Sequence, residues 1–266
     1  MRQIVSLMKD NFRIGIIGGG AMGGALVKGM LKSHPEMSER IIISNPHLDK
    51  IVEFGKEGVR ITQDNKDVAR EADLLVIAVK PWKVSEVISD LKDCDLSLKE
   101  ISLIVAGIPG NDILEILKDH HPASISIAMP NTAMAVGKSM SFVVELKDIA
   151  IKIINILDLV GKTKIIEERL LPAATSLASC GIAYAMRYVR AATEGGVELG
   201  FRATEAQDII AQTLAGTVAL LEIPGSHPEV EIDKVTTPGG LTIKGLNTME
   251  KEGFTNAVIQ GLKASR

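Results

Sequence analysis

Ile14-Gly15-Ile16-Ile17-Gly18-Gly19-Gly20-Ala21-Met22-Gly23-Gly24-Ala25-Leu26 decides how this chain is read. An apolar run of strand length turns through glycines into a helix-forming run, and Gly18-Gly19-Gly20-Ala21-Met22-Gly23 inside it fits G-x-G-x-x-G. That spacing has a steric logic: Gly18 allows a tight turn, Gly20 lets a pyrophosphate approach the backbone, and Gly23 lets helix and strand pack closely. The glycine pattern alone is a weak sign. A strand before it and a helix after it are the setting in which it reads as a dinucleotide-binding turn.

Outward from this turn, residues 1–166 alternate short β-rich runs with helical patterns, the signature of a parallel sheet covered on both faces. Strands are expected at 13–18, 41–44, 59–61, 74–79, 101–106, 124–128, 140–144 and 163–166. Several are nearly continuous in Ile, Val and Leu, as befits strands buried on both faces. Helix starts are read at Asp64, at Asn111-Asp112 and at Asp148. Residues 167–266 lose the β pattern and are helical in composition, with Ala-rich runs at 173–192 and 204–221. The stretch around Ala183-Tyr184-Ala185-Met186 is apolar on more than one face, and a helical tail of this length has little room for a private core. The expected fold is therefore α/β, an N-terminal Rossmann-type doubly wound sheet followed by an all-helical dimerisation domain.

Composition narrows the function. The chain has 266 residues, a formal net charge of −3 and no Lys/Arg-rich block, so it lacks the electrostatic footprint of a nucleic-acid or membrane binder. No run of about 18 apolar residues is available to span a membrane. Residues 1–12 carry no apolar stretch of signal-peptide length. Cys94 and Cys180 stand in no C-x-x-C or Cys/His spacing, which indicates neither a disulfide framework nor a metal site. The expectation is a cytoplasmic protein with reduced thiols and small-molecule partners.

The second informative stretch is Val235-Thr236-Thr237-Pro238-Gly239-Gly240-Leu241-Thr242-Ile243-Lys244-Gly245-Leu246. A Pro-Gly-Gly turn running straight into a helix gathers free N–H groups and hydroxyls where the helix dipole is positive. That is a cradle for a small anion. Between the two stretches, Ala78-Val79-Lys80-Pro81 closes the fourth strand at the edge where ligands of such sheets lie, and Met129-Pro130-Asn131-Thr132 holds the analogous place after the sixth. The second strand ends at Ser44-Asn45-Pro46-His47 with no carboxylate for a ribose 2′-hydroxyl, which favours NADPH modestly and leaves NADH open. His120-His121 reads as a solvated helix end, and Trp82 and Tyr184 read as packing residues.

Together these residues resemble the pyrroline-5-carboxylate reductases. The run Thr236-Thr237-Pro238-Gly239-Gly240-x-Thr242, followed by Gly245-Leu246 and Met249-Glu250, is similar to that family's signature. The order of Gly18–Gly23, Asn65-Lys66, Ala78–Pro81, Ala106-Gly107, Met129–Thr132 and His227-Pro228 is similar as well, so the resemblance spans almost the whole chain. It implies Gly18, Gly20, Ala21, Met22, Gly23, Asn45, Asn65, Ala78, Val79, Lys80, Pro81, Ala106 and Gly107 along the cofactor. It implies Glu168, Lys234, Thr237, Gly240, Leu241 and Thr242 around the substrate, with the Thr242 hydroxyl meeting the ring nitrogen. It further implies a helical domain that interlocks with a second subunit; a ring of dimers is compatible with this. The chain departs from the family pattern at Ala178-Ser179-Cys180, Pro172, Ile127, Ala133 and Trp82.

The expected activity is reduction of L-1-pyrroline-5-carboxylate to L-proline. Another imine or small-acid reductase on the same architecture is the nearer alternative, and a non-catalytic NADP-binding redox sensor the farther one. A hydroxy-acid dehydrogenase would be expected to carry a lysine base on the long central helix, where this chain has Arg187 and Arg190.

Overall fold

The structure, a computed structural model, describes residues 12–265. The reading of the amino terminus falls, for residues 1–11, outside them. Eight strands form one sheet: β1 (Ile14–Ile17), β2 (Ile41–Ser44), β3 (Arg60–Thr62), β4 (Leu74–Ile77), β5 (Glu100–Leu103), β6 (Ser124–Met129), β7 (Ser139–Lys147) and β8 (Gly161–Ile165). Their order is β3-β2-β1-β4-β5-β6-β7-β8, so the chain reverses direction across the sheet between β1 and β4. Helices cross between the parallel strands: α1 (Ala21–Ser33), α2 (Val52–Lys56), α3 (Asn65–Glu71), α4 (Val84–Asp90), α5 (Gly110–Leu117) and α6 (Ile151–Leu159).

One joint departs from the all-parallel expectation, because β7 runs antiparallel to β6. The connection between them holds only the 3-10 turn Thr132–Val136, too short for the crossover that a parallel pair requires. Both faces of the sheet carry apolar cores. Ile14 and Ile16 pack on one side with Leu26, Met30, Ile153 and Ile156, and Ile17 on the other with Val68, Leu75, Val87 and Ile113. Gly15 shares the second face, where a Cβ would lie 2.6 Å from both Ala72 and Val68 side chains. The period of two along β1 thus fixes which helices it can touch.

Two of the three helix starts differ from the sequence reading, for one physical reason. Asp64 does cap α3, accepting the Lys66 N–H at 2.8 Å. The helix expected after Asn111-Asp112 begins instead at Gly110, whose N–H goes to Glu168 Oε1 at 2.6 Å. The helix expected after Asp148 begins at Ile151; Asp148 itself is left-handed at φ 54. Here Lys152 and Ile153 donate their N–H groups to Glu100 Oε2 and Oε1 at 3.0 and 2.7 Å, and Ala150 donates to Glu145. In both cases the cap is a carboxylate from a remote segment.

Glu100 is only 2% exposed. Burial pushes its carboxyl above the usual range, against the two N–H bonds that pull it down. Glu100→Ala would leave both donors unsatisfied and is expected to destabilise the protein by about 1–3 kcal/mol, measured by urea unfolding at fixed protein concentration. A folded-state pKa above the unfolded one means that the parent loses stability as pH rises through and just above the ordinary glutamate range. The variant should show a flatter slope in that window.

The chain divides into two compact units between Ala174 and Thr175, later than the 166/167 boundary expected from the sequence. The second opens with a π-helical turn, Thr175–Cys180, and continues as α7 (Gly181–Glu198), α8 (Ala203–Leu221), α9 (Pro228–Val235), α10 (Leu241–Lys251) and α11 (Phe254–Ala264). α7 and α8 approach closely where Gly196 faces Ala206; a Cβ at 196 would lie 2.8 Å from that of Ala206. Among the described residues of this unit only Ser176 and Ala206 are buried. Its apolar side chains face outward, including Tyr184, Met186, Val218, Leu220 and Val258.

Candidate active site

The β1–α1 turn divides its three glycines by role. Gly18 is left-handed at φ +107, and a Cβ there would lie 2.5 Å from the Ala78 carbonyl oxygen. A Cβ on Gly23 would collide with the Gly18 carbonyl, so this glycine permits the close seat of α1 on β1. Gly20 is different: a Cβ there would meet nothing within 4 Å. Packing gives no reason for glycine at 20, whereas a ligand approaching the backbone does. Gly20 is also the N-cap of α1 and offers no side-chain cap, so the N–H groups of Ala21, Met22 and Gly23 open the helix unpaired with its interior. These residues fit a pyrophosphate.

The turn lies at the switch point of the sheet, with Ala78 donating its N–H to the Ile17 carbonyl at 2.8 Å. Ligands of doubly wound sheets sit in this crevice. Lys80 is exposed and N-caps the 3-10 turn Pro81–Lys83. That turn throws Trp82 outward to 75% exposure, which corrects its expected packing role. Beside it, the end of β5 is tied to β4 where Ile104 donates to the Ile77 carbonyl at 2.8 Å. Ala106 and Gly107 follow, both exposed, with Gly107 at φ +82.

At the tip of β2 the polar groups are partly committed. Ser44 is buried and donates its hydroxyl to Asn65 Oδ1 at 2.7 Å, so it steadies Asn65 and does not itself face a ligand. Asn45 accepts the His47 N–H at 2.9 Å through Oδ1, which leaves its amide NH₂ as donor. Sequence reasoning had no signal for the Ser44–Asn65 link, which joins residues on different elements.

In the helical unit, Thr237-Pro238-Gly239-Gly240 is a tight turn, with Gly240 donating its N–H to the Thr237 carbonyl at 2.9 Å and Gly239 at φ +73. Pro followed by a positive-φ glycine is the type II pattern. A Cβ on Gly240 would lie 2.6 Å from Thr237 Oγ1. Gly240 therefore shapes the cradle, and its N–H is not free for an anion as the sequence suggests. Leu241 and Thr242 begin α10 and are exposed, with first-turn N–H groups that have no intrahelical acceptor. Lys234 pairs with Glu231 at 2.7 Å, and this contact holds the Glu231 carboxyl below its usual range. Glu168 lies apart from these residues in sequence, in the first unit, with its carboxylate on Gly110.

Among the described residues, no cluster of His, Cys, Asp and Glu could hold a metal ion, and no helix is long and apolar enough to cross a membrane. Residues 168–266 match the family model described as pyrroline-5-carboxylate reductase dimerisation, and residues 13–127 match that described as NADP oxidoreductase, coenzyme F420-dependent. Pyrroline-5-carboxylate reductase 2 of Dictyostelium discoideum is 34% identical over 97% of this chain and 92% of its own length. Pyrroline-5-carboxylate reductase 1 of the same organism is also 34% identical, over 95% of this chain, but the match spans only 48% of that longer protein. Among solved structures, the Coxiella burnetii pyrroline-5-carboxylate reductase superposes with a TM-score of 0.86 at 28% identity, covering 96% of each chain. The Plasmodium falciparum pyrroline carboxylate reductase with NADP bound gives 0.83 at 25%, again covering 96% of each. With relatives this similar along nearly its entire length, the chain belongs to the pyrroline-5-carboxylate reductase family.

Proposed function

We propose that this protein is a cytoplasmic homodimer that reduces L-1-pyrroline-5-carboxylate to L-proline with NADPH. The observation that carries the reading is the cradle at Thr237–Thr242, an exposed turn that opens a helix and offers N–H groups and hydroxyls together. A cyclic imine bearing a carboxylate needs both. The N–H groups of Leu241 and Thr242, with the Thr237 hydroxyl, hold the carboxylate at the positive end of α10. Lys234 adds a cation near the same turn, and Gly240 gives the turn its shape. The Thr242 hydroxyl hydrogen-bonds the ring nitrogen.

NADPH, when bound, supplies hydride from C4 of its nicotinamide. Gly18, Gly20, Ala21, Met22 and Gly23 would hold its pyrophosphate at the start of α1. Asn45 and Asn65 would hold its ribose, and Ala78, Val79, Lys80, Pro81, Ala106 and Gly107 would line its nicotinamide half. The imine carbon would gain that hydride, the nitrogen would take a proton from solvent or arrive already protonated, and the C=N double bond would become single. The protein's part is to orient two rings and to fix the nitrogen's hydrogen bond.

The test is substrate-dependent loss of nicotinamide absorbance with racemic pyrroline-5-carboxylate, run with NADPH and with NADH. Turnover with NADPH is the expected result; tight cofactor binding without turnover would overturn it in favour of a redox sensor. That sensor leaves the Pro-Gly-Gly-x-Thr cradle without a task.

Gly20→Val gives a sharper check of the cofactor side. A Cβ at 20 would meet nothing within 4 Å beyond its neighbours in the chain, so thermal stability should hold while NADPH affinity falls at least about tenfold. Energy transfer from Trp82, the chain's single tryptophan, to bound NADPH reads this directly. Unchanged affinity would remove Gly20 from the site.

A further inference from the structure

The first N–H of α5 is satisfied from outside the helix. Gly110 donates to Glu168 Oε1 at 2.6 Å across 58 residues of sequence. A Cβ on Gly110 would lie 2.7 Å from Glu168 Oε2 and 2.5 Å from Leu146 Cδ2. The donor at 110 serves this contact, and the missing side chain leaves room for both Glu168 and Leu146. Pro109, the N-cap, brings no side-chain acceptor, so Glu168 takes over the capping role and sets its charge at the positive end of α5.

The contact holds more than a helix. The segment before Gly110 contains Ala106, Gly107 and Pro109, all exposed, and nothing in the protein lies within 4 Å of where a Gly107 Cβ would be. Upstream, the segment is tied where Ile104 donates to the Ile77 carbonyl, next to Ala78–Pro81. Downstream, the Gly110–Glu168 bond ties it. Between these ties Ile108 packs on the second apolar core, and the Pro109 carbonyl accepts from Asp112 and Ile113; the Gly110–Glu168 bond is the charge-assisted one among these anchors.

We infer that Glu168 is a positioning residue for the cofactor, acting on the Ala106-Gly107 loop through the Gly110 N–H, and is not a ligand of the substrate. The inference rests on the proposed reading that Ala106 and Gly107 line the nicotinamide half of NADPH. Glu168 then works by geometry, which an amide oxygen can reproduce. A substrate ligand would work by charge on the ring nitrogen, which an amide cannot reproduce.

Three variants separate the roles: Glu168→Ala, Glu168→Gln and Gly110→Ala. Each is expected to melt somewhat below the parent, and each is compared with it well below its own melting midpoint, titrated with NADPH through Trp82 energy transfer and assayed for KM of both substrates. Glu168→Ala and Gly110→Ala are expected to weaken NADPH binding about tenfold each, the scale of one hydrogen bond to a charged group. KM for pyrroline-5-carboxylate should stay within about twofold. Glu168→Gln should restore NADPH affinity to within about threefold of the parent. The double variant should be no worse than the worse single one, because the two residues share one contact.

A rise in KM for pyrroline-5-carboxylate with NADPH affinity unchanged would overturn the inference and return Glu168 to the substrate. A glutamine variant as damaged as the alanine would do the same. Gly20→Val in the same titration keeps the underlying reading separate. Loss of NADPH binding there, with none in the Glu168 and Gly110 variants, refutes the loop assignment alone; no effect in any of them refutes both.

Discussion

Thr242→Ala is expected to lower turnover of pyrroline-5-carboxylate about 10²-fold, the usual loss when one well-placed hydrogen bond to a reacting centre is removed. The side chain is exposed on the first turn of α10, so its loss leaves no cavity, and the backbone N–H proposed to hold the carboxylate stays. The melting midpoint and NADPH affinity should therefore not move. In the proposed reading the hydroxyl meets the atom whose charge and bonding change most, so kcat and kcat/KM should fall together, whereas Thr237→Ala should act mainly on KM. A threonine hydroxyl is too weak an acid to be a net proton source near neutral pH. Its role is an oriented hydrogen bond that persists whether the nitrogen arrives neutral or protonated. Thr242→Ser keeps that bond and should retain activity within about fivefold. Turnover of the alanine variant within twofold of the parent would take Thr242 out of the mechanism.

Where physical signals were local, the sequence was legible. The strands announced themselves because both faces of the sheet are covered, leaving runs such as Ile41-Ile42-Ile43 and Leu74-Leu75-Val76-Ile77 with no polar interruption. The glycine turn at β1 was legible for the same reason, since its steric demands fall within six residues. β7 was read short, at 140–144, and spans Ser139–Lys147. Its serines are buried, with Ser139 and Ser141 hydroxyls 3.0 Å apart. Ser102 and Ser126 satisfy each other in the same way across β5 and β6.

Cooperation between distant residues was not legible. Asn111-Asp112 and Asp148 carry the residue types that cap helices, yet Glu168 and Glu100 do the capping from 58 and roughly 50 residues away. No window of local sequence contains both partners. The cradle shows an intermediate case. Its place and residues were read from Pro238-Gly239-Gly240, but not that the turn closes on itself through the Gly240 N–H. Gly240 therefore contributes shape where an anion contact was expected.

Assembly should show the other large effect. Helices rich in outward apolar side chains, with only Ser176 and Ala206 buried among the described residues of their unit, cannot be stable alone in water. The helical unit must find its core in a second copy. The melting midpoint is accordingly expected to rise with protein concentration, each tenfold dilution weakening the dimer by about 1.4 kcal/mol. The groove of about 480 Å³ between α7 and α11, walled by Tyr184, Tyr188, Ala191, Phe254, Ala257 and Val258, offers a partner helix an apolar seat. Ala257→Glu would bury an unpaired charge there at a cost of several kcal/mol. Light scattering at low micromolar concentration should find monomer or aggregate, with reduced helical signal and no turnover. Trp82 energy transfer to NADPH should survive, since both faces of the sheet are covered by the first unit's own helices. Leu98→Asp, at an exposed site in that unit, should leave mass and activity unchanged. A folded, fully helical parent with monomeric mass would refute the dependence on a partner. An Ala257→Glu protein that stays dimeric and active would place the shared core elsewhere on these helices.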